Sequence, residues 1–277
     1  ASAALEPVAR VEHRTIPGVT NASGDSLLVR MYTPAGSGPF PVVTYYHGGG
    51  WVITDLDDYD ASARALTNAA GAIVVSVAYR QAPAHQFPTA HEDAFAAYRW
   101  VLNNAGSFNG NPNKVAVAGE SAGGNLAAGV CSLARDRNVK LPVYQLLVYP
   151  IVDFNFETPS YKENANAMPL SKPLMQWFFD KYLRRRGDGD NPLVSPLRAA
   201  NVAGLPAATI INAQIDPLRS EGEAYAAKLK AAGVTVDQTT YAGVTHEFFG
   251  MGAVVDKAKQ AVAQAAAGLK RGFAAAQ

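Results

Sequence analysis

Lys114-Val115-Ala116-Val117-Ala118-Gly119-Glu120-Ser121-Ala122-Gly123-Gly124-Asn125 passes from a strand pattern through a tight turn toward a helix pattern. The alternating β-branched and small apolar residues at its start predict a short buried strand. Leu126-Ala127-Ala128-Gly129-Val130, just beyond it, predicts a helix. Between the two, Gly119-Glu120-Ser121-Ala122-Gly123 is a G-x-S-x-G, which in a strand–turn–helix setting acts as a nucleophile elbow. Such a serine sits on a strained turn, and glycines two residues to either side remove Cβ atoms that would clash. An ordinary glycine–serine turn can match the bare pattern by chance. The flanking strand and helix argue for the elbow, and the rest of the chain supplies the test.

Outward from this stretch, strand and helix patterns alternate. Toward the N-terminus, Val8 to Ile16 and Ser26 to Tyr32, joined through an Asn21-Ala22-Ser23-Gly24-Asp25 turn, predict an antiparallel hairpin at a sheet edge. Val42 to Tyr46 is the next strand and ends on His47-Gly48-Gly49-Gly50-Trp51. Asp60 to Ala70 predicts a helix, Ala72 to Ala78 a strand buried on both faces, and the residues from Pro88 to Leu102 a second helix. After the serine helix come strands at Tyr144 to Tyr149 and Ala207 to Ala213. They are followed by an amphipathic helix at Leu218 to Ala232, a last strand at Val234 to Tyr241 and an alanine-rich helix from about Val254 to Phe273. This order predicts an α/β fold, a mostly parallel eight-stranded sheet with helices on both faces.

Between Tyr149 and Ala207 the alternation breaks for nearly sixty residues rich in Asn, Pro and Glu. An excursion of that size between consecutive strands predicts a lid. The expected organisation is a catalytic domain in two parts, residues 1–152 and 201–277, around a cap insertion at 153–200. Lys172 to Leu183 is an aromatic helix within that insertion, and most of its rings should simply pack it onto the sheet. Trp51, Trp177, Phe178 and Tyr182 are the candidates for a substrate pocket.

The chain has 277 residues, 48% hydrophobic and 17% charged, long enough to bury a substantial core. A net charge near +1 gives no field that would favour nucleic acid or an anionic membrane surface. No apolar run reaches bilayer length. The single cysteine, Cys131, rules out an internal disulfide and reads as a small buried hydrophobe. The start, Ala1-Ser2-Ala3-Ala4, is compatible with a cleaved signal peptide and with a trimmed chain. A soluble protein, a monomer or homodimer, is expected; the compartment stays open, with cytoplasmic favoured over secreted.

A serine hydroxyl needs a neighbouring base to take its proton. Of the five histidines, His13 lies in the edge hairpin, while His85 and His91 flank a Pro-rich loop and a helix start, where surface or packing roles are expected. His246 follows the last strand through Ala242-Gly243-Val244-Thr245, read as a loop at the same edge of the sheet as Ser121. It also satisfies the chain order serine, acid, histidine of α/β hydrolases. The acid must lie between them. Asp216 follows the Ala207–Ala213 strand by a short loop, whereas Asp237 is inside a strand and Glu221 and Glu223 are on a helix. Asp216 could instead only cap the helix near Leu218; position and order select it as the group that orients His246.

Acyl transfer also requires donors for a tetrahedral oxyanion. His47-Gly48-Gly49-Gly50 is an HGGG-type loop directly after a strand, and its glycines allow backbone N–H groups to converge on one oxygen. The amide of Ala122, next to the nucleophile, supplies another donor. One lost donor of this kind removes roughly 3–4 kcal/mol of transition-state stabilisation. No His/Cys/carboxylate cluster has metal-binding spacing, and no cofactor is expected.

From about Tyr32 to Met251 the chain resembles the bacterial hormone-sensitive-lipase-like carboxylesterases of the α/β-hydrolase superfamily. The resemblance covers His47-Gly-Gly-Gly-Trp51, Tyr79-Arg80-Gln81-Ala82-Pro83 with Phe87-Pro88, and Gly119-Glu-Ser-Ala-Gly-Gly124. It extends to Asn191-Pro-Leu-Val-Ser-Pro196, Asp216-Pro-Leu-Arg219 and His246-Glu-Phe-Phe249. It implies an α/β-hydrolase fold, a triad of Ser121, Asp216 and His246, and oxyanion donors at Gly49, Gly50 and Ala122, with Gly48 shaping the turn. Tyr79–Pro83 would be a structural loop with Arg80 in buried polar contacts. The implied reaction is hydrolysis of small, uncharged carboxylic esters with short to medium acyl chains, through an acyl-enzyme.

The chain departs from the family pattern in three ways. Glu120 stands where Asp or Thr is common, and Glu247 where Gly is common; neither is expected to touch the triad, though Glu247 could alter packing or hydration beside the histidine. Family members also often carry a helical N-terminal segment that forms half of the cap, and without one the site would be more open. An amide hydrolase would share every one of these residues. The plant gibberellin receptors resemble the same family but lack the catalytic histidine.

Overall fold

The computed structural model describes residues 5–19 and 25–276. Of the sequence features above, Ala1 to Ala4 and the Asn21-Ala22-Ser23-Gly24 part of the hairpin turn lie outside those residues. Eight strands form one sheet in the order β1-β2-β4-β3-β5-β6-β7-β8. The edge hairpin is β1 (Arg10–Pro17) with β2 (Ser26–Thr33), and β2 pairs antiparallel with β4 (Ile73–Ala78). From β4 onward every pairing is parallel: β3 (Phe40–Tyr46), β5 (Gly110–Glu120), β6 (Gln145–Val148), β7 (Ala208–Ile215) and β8 (Val236–Thr245).

Why both faces of this sheet are covered follows from the side-chain period of two. In β4, Ile73, Val75 and Val77 enter one core and Val74 the other; in β5, Val115 and Val117 face one side and Ala116 and Ala118 the opposite. The first core is closed by α2 (Thr89–Asn104), α3 (Ala122–Asp136) and α6 (Arg219–Ala231), through Phe95, Tyr98, Leu126, Tyr225 and Leu229. The second is closed by α1 (Asp60–Ala70) and α7 (Asp256–Ala275), through Leu66, Ala258 and Leu269. Each fully buried Val or Leu contributes about 1.5–3 kcal/mol. Cys131 is buried in the first core, as its apolar setting suggested. No helix of the described residues is long and apolar enough to cross a membrane.

Residues 153–200 contribute no strand. They carry α4 (Pro159–Glu163), α5 (Lys172–Tyr182) and two short 3-10 turns. Helix α5 starts where Ser171 accepts the amide of Leu174, with Pro173 in the first turn. Its Met175, Phe178, Phe179 and Tyr182 are buried in the first core, so the insertion is packed onto the sheet.

One boundary differs from the sequence expectation in a way that matters. Ala242 to Thr245, read as a loop, continues β8 to the residue before His246. A register irregularity between Ala213 and Ile215 of β7 absorbs the extra residues, with Gly243 at φ +71 and its amide held by the Gln214 side chain.

Candidate active site

Because β3 and β5 to β8 run parallel, their carboxyl ends share one edge, where open α/β sheets place their sites. Tyr46 leads into His47, Glu120 into Ser121, Ile215 into Asp216 and Thr245 into His246. Pairing of Tyr46 with Gly119 sets the glycine loop beside the serine turn, and pairing of Ile215 with Thr245 sets Asp216 beside His246.

Ser121 occupies φ 56 and ψ −118, a conformation side chains rarely adopt. Its amide is held by the carbonyl of Val148 at 2.9 Å, and its own carbonyl accepts the amides of Asn125 and Ile151. The turn closes only because Gly123 lacks a side chain: a Cβ there would stand 1.9 Å from the carbonyl oxygen of Tyr46.

His246 Nε2 is 3.0 Å from Ser121 Oγ, and Nδ1 is 2.7 Å from Asp216 Oδ2. A carboxylate has no proton to give, so Nδ1–H donates and Nε2 is free to accept from the serine. The other Asp216 oxygen accepts the amide of Leu218 at 2.9 Å, so the carboxylate also secures the entry to α6. Burial pulls the His246 pKa down; the charge and hydrogen bond of Asp216, then the charges of Glu247 and Glu120, more than offset it and raise the pKa above the ordinary histidine value.

Gly49 and Gly50 have φ of +91 and +59, and a Cβ on Gly49 would lie 2.1 Å from the carbonyl oxygen of Ile53. The amide of Ala122 belongs to the first turn of α3, where amides have no acceptor within the helix. The glycine loop is braced from behind. The Tyr79 hydroxyl donates to the carbonyl of His47 at 2.9 Å, and the Tyr79 ring stacks on His47 at 4.4 Å. Burial lowers the His47 pKa to about 4, so the ring is neutral. Arg80 donates twice to the buried carboxylate of Asp93, and Gln81 donates to the carbonyls of Ile53 and Thr54. The Tyr79–Pro83 stretch therefore supports the glycine loop.

A cavity of about 260 Å³ opens over Ser121 and His246, between the Gly49–Gly50 loop, Tyr59 and Glu247 on one side and Pro169, Leu170, Leu174 and Phe178 on the other. Of the four sequence-derived pocket candidates, only Phe178 lines it. Trp51 and Tyr182 are fully buried and stacked on each other at 4.3 Å, the Tyr182 hydroxyl bonded to His91, so both belong to the core beneath. Trp177 is 41% exposed and does not line the cavity; its ring meets that of Phe178 edge-on at 5.5 Å. Larger cavities of about 510 and 660 Å³ lie elsewhere and contain none of the triad candidates.

The remaining histidines stand apart from the serine. His13 is on β1 against Arg30, His85 is exposed, and His91 is buried between Tyr182 and Asn125. Among the described residues no group of three or more His, Cys, Asp or Glu is arranged to hold a metal ion.

Two acidic residues enter the site that the sequence alone did not place there. Glu247 Oε1 is 3.6 Å from His246 Nε2 and accepts the Tyr59 hydroxyl at 2.7 Å, which corrects the expectation that position 247 stays clear of the triad. Glu120, fully buried under the elbow, accepts the hydroxyls of Tyr45 and Tyr149. The Tyr149 ring packs 4.4 Å from that of His246. Burial and then the charge of Glu247 push Glu120 up to about 7, against the hydrogen bonds from Tyr149, Tyr45 and Ser62.

A family model described as alpha/beta hydrolase fold matches residues 43–250. Carboxylesterase NlhH of Mycobacterium tuberculosis is 41% identical over 273 residues, spanning 96% of this chain and 84% of its own length. Carboxylic ester hydrolase LipN of the same organism is 44% identical over 228 residues, 80% of this chain but 61% of LipN. Among solved structures, the esterase of Pyrobaculum calidifontis superposes with a TM-score of 0.91 at 42% identity, covering 96% of this chain and 87% of that one.

Proposed function

The chain belongs to the α/β-hydrolase fold family, among its hormone-sensitive-lipase-like carboxylesterases, and from that premise we propose that it cleaves short- to medium-chain carboxylic esters with Ser121 as nucleophile. The reading is carried by one observation, the unbroken hydrogen-bonded series Ser121, His246, Asp216, whose first two members line a cavity with Gly49 and Gly50.

In the acylation step Ser121 Oγ attacks the ester carbonyl while its proton passes to His246 Nε2. Asp216 keeps the ring in the accepting tautomer and stabilises the imidazolium. The amides of Gly49, Gly50 and Ala122 hold the oxyanion, and the Nε2 proton is returned to the alcohol as the C–O bond breaks. Water, deprotonated by the same nitrogen, then releases the acid and restores the serine. A cavity of about 260 Å³ sits below the range of about 300–1,000 Å³ usual for drug-sized ligands, which favours small esters. Residues 153–200 act as a cap, since Pro169, Leu170, Leu174 and Phe178 form the wall facing the serine. The substrate is a small molecule, the working unit a monomer or homodimer, and a net charge near +1 favours no nucleic-acid partner.

Initial rates on p-nitrophenyl esters of graded acyl length, for the native chain and Ser121→Ala, test this reading. Rates should peak at short chains and vanish in the variant. Equal rates in the two proteins would exclude Ser121 as nucleophile.

A further inference from the structure

We propose that Glu247 is a positioning residue for the general base, a second carboxylate that favours the imidazolium form of His246 from the side opposite Asp216. The proposal rests on the reading of His246 as the base of Ser121. Asp216 holds Nδ1 at 2.7 Å, while Glu247 Oε1 stands 3.6 Å from Nε2, the nitrogen that faces Ser121 Oγ. At that distance Glu247 does not take the proton as a hydrogen-bond partner. It acts through its charge when Nε2 becomes N–H⁺.

The carboxylate is held in place. Glu247 adopts φ +67, a left-handed conformation that disfavours residues other than glycine. Its Oε1 accepts the hydroxyl of buried Tyr59 at 2.7 Å, and that hydroxyl in turn packs against Gly48, where a Cβ would come within 2.2 Å. Glu247, Tyr59 and the glycine loop therefore form one packed unit that reaches the base at one end and the oxyanion loop at the other.

Among the described residues, the titratable side chains facing His246 are carboxyls and phenols. Asp216 approaches from the β7–α6 turn, Glu120 from the end of β5, and Glu247 from the residue after the histidine; Tyr149 and Tyr59 contribute neutral phenols. Asp58 lies across the cavity, and among the described residues no lysine or arginine lines it. The charge of Glu247 is thus not neutralised by a neighbouring cation within the cavity. Its side chain is about one-third exposed, so solvent reduces its effect without abolishing it.

The test is the pH dependence of kcat/KM on p-nitrophenyl acetate for the native chain, Glu247→Gln, Glu247→Gly and Ser121→Ala. Gln keeps the shape and removes the charge; Gly removes the charge and relieves the left-handed backbone. Both charge-free variants should move the acid limb to lower pH by roughly 0.5–1 pH unit, with thermal unfolding confirming that each is folded. An acid limb unmoved, or moved to higher pH, in both variants would overturn the role of Glu247. That outcome leaves the triad reading standing as long as Ser121→Ala is inactive, whereas an active Ser121→Ala would overturn the reading beneath it.

Discussion

The Asp216 carboxylate accepts His246 Nδ1 at 2.7 Å through one oxygen and the amide of Leu218 at 2.9 Å through the other, with no part of Asp216 exposed. Asp216→Asn can retain the second bond through its amide oxygen but presents an N–H to the histidine, which forces the wrong tautomer. The expected result is a fall in kcat of about 10³–10⁴-fold with a melting temperature close to native. Steady-state kinetics and thermal unfolding on the same preparation separate this from a folding defect.

Gly123 has no room for a methyl group. A Cβ would lie 1.9 Å from the Tyr46 oxygen and 2.5 Å from that of His47, both backbone atoms that cannot move aside. Gly123→Ala should therefore yield little folded protein. Gly71, at φ +62 after α1 and with nothing within 4 Å of a Cβ, should lose only the left-handed backbone cost of about 1–2 kcal/mol on the same change. Soluble yield and melting temperature of the two variants give the comparison.

Adjacent rings on α5 should differ in their effect on acyl preference. Phe178 lines the cavity over Gly50, and Trp177 faces solvent. Phe178→Ala should move the optimum of a p-nitrophenyl ester series to longer chains, at a stability cost of about 3–5 kcal/mol. Trp177→Ala should leave the chain-length profile as in the native protein.

Glu120 gives the stability a distinctive pH dependence. Its carboxyl holds a proton up to about pH 7 in the fold, while in the unfolded chain it releases it near 4.5. Between these values the folded state binds more protons, so this group's contribution to stability falls as pH rises from 4.5 through 7. Glu120→Gln lacks that loss. Denaturant titrations of both proteins should show the native chain losing roughly 1–3 kcal/mol relative to the variant across that window and running parallel to it above. Parallel curves throughout would mean that Glu120 is already ionised at the acid end.

The candidate site was legible in the sequence wherever its signals are local. The glycines around Ser121, the glycine run after His47 and the order of Ser121, Asp216 and His246 along the chain are all visible in short windows. The alternation of strand and helix then carries those windows to one edge of the sheet. What could not be read is what depends on packing between distant segments. Helical spacing puts Phe178 and Tyr182 on one face of α5, yet Tyr182 stacks on Trp51 below the site while Phe178 faces the serine. Tyr59 and Glu247 meet across 188 positions, with no local pattern to announce the bond. The extension of β8 to Thr245 was hidden because Gly243, normally a strand breaker, is accommodated by an irregularity in its pairing with β7.

The central claim is that Ser121 becomes covalently bound to the acyl group, and labelling with a p-nitrophenyl alkylphosphonate tests it most directly. Titration against residual esterase activity, followed by peptide mass mapping, should place one phosphonate per chain on the peptide bearing Ser121, with activity lost in proportion. Inactivation with Ser121 unmodified, or full modification of Ser121 with activity intact, would contradict it.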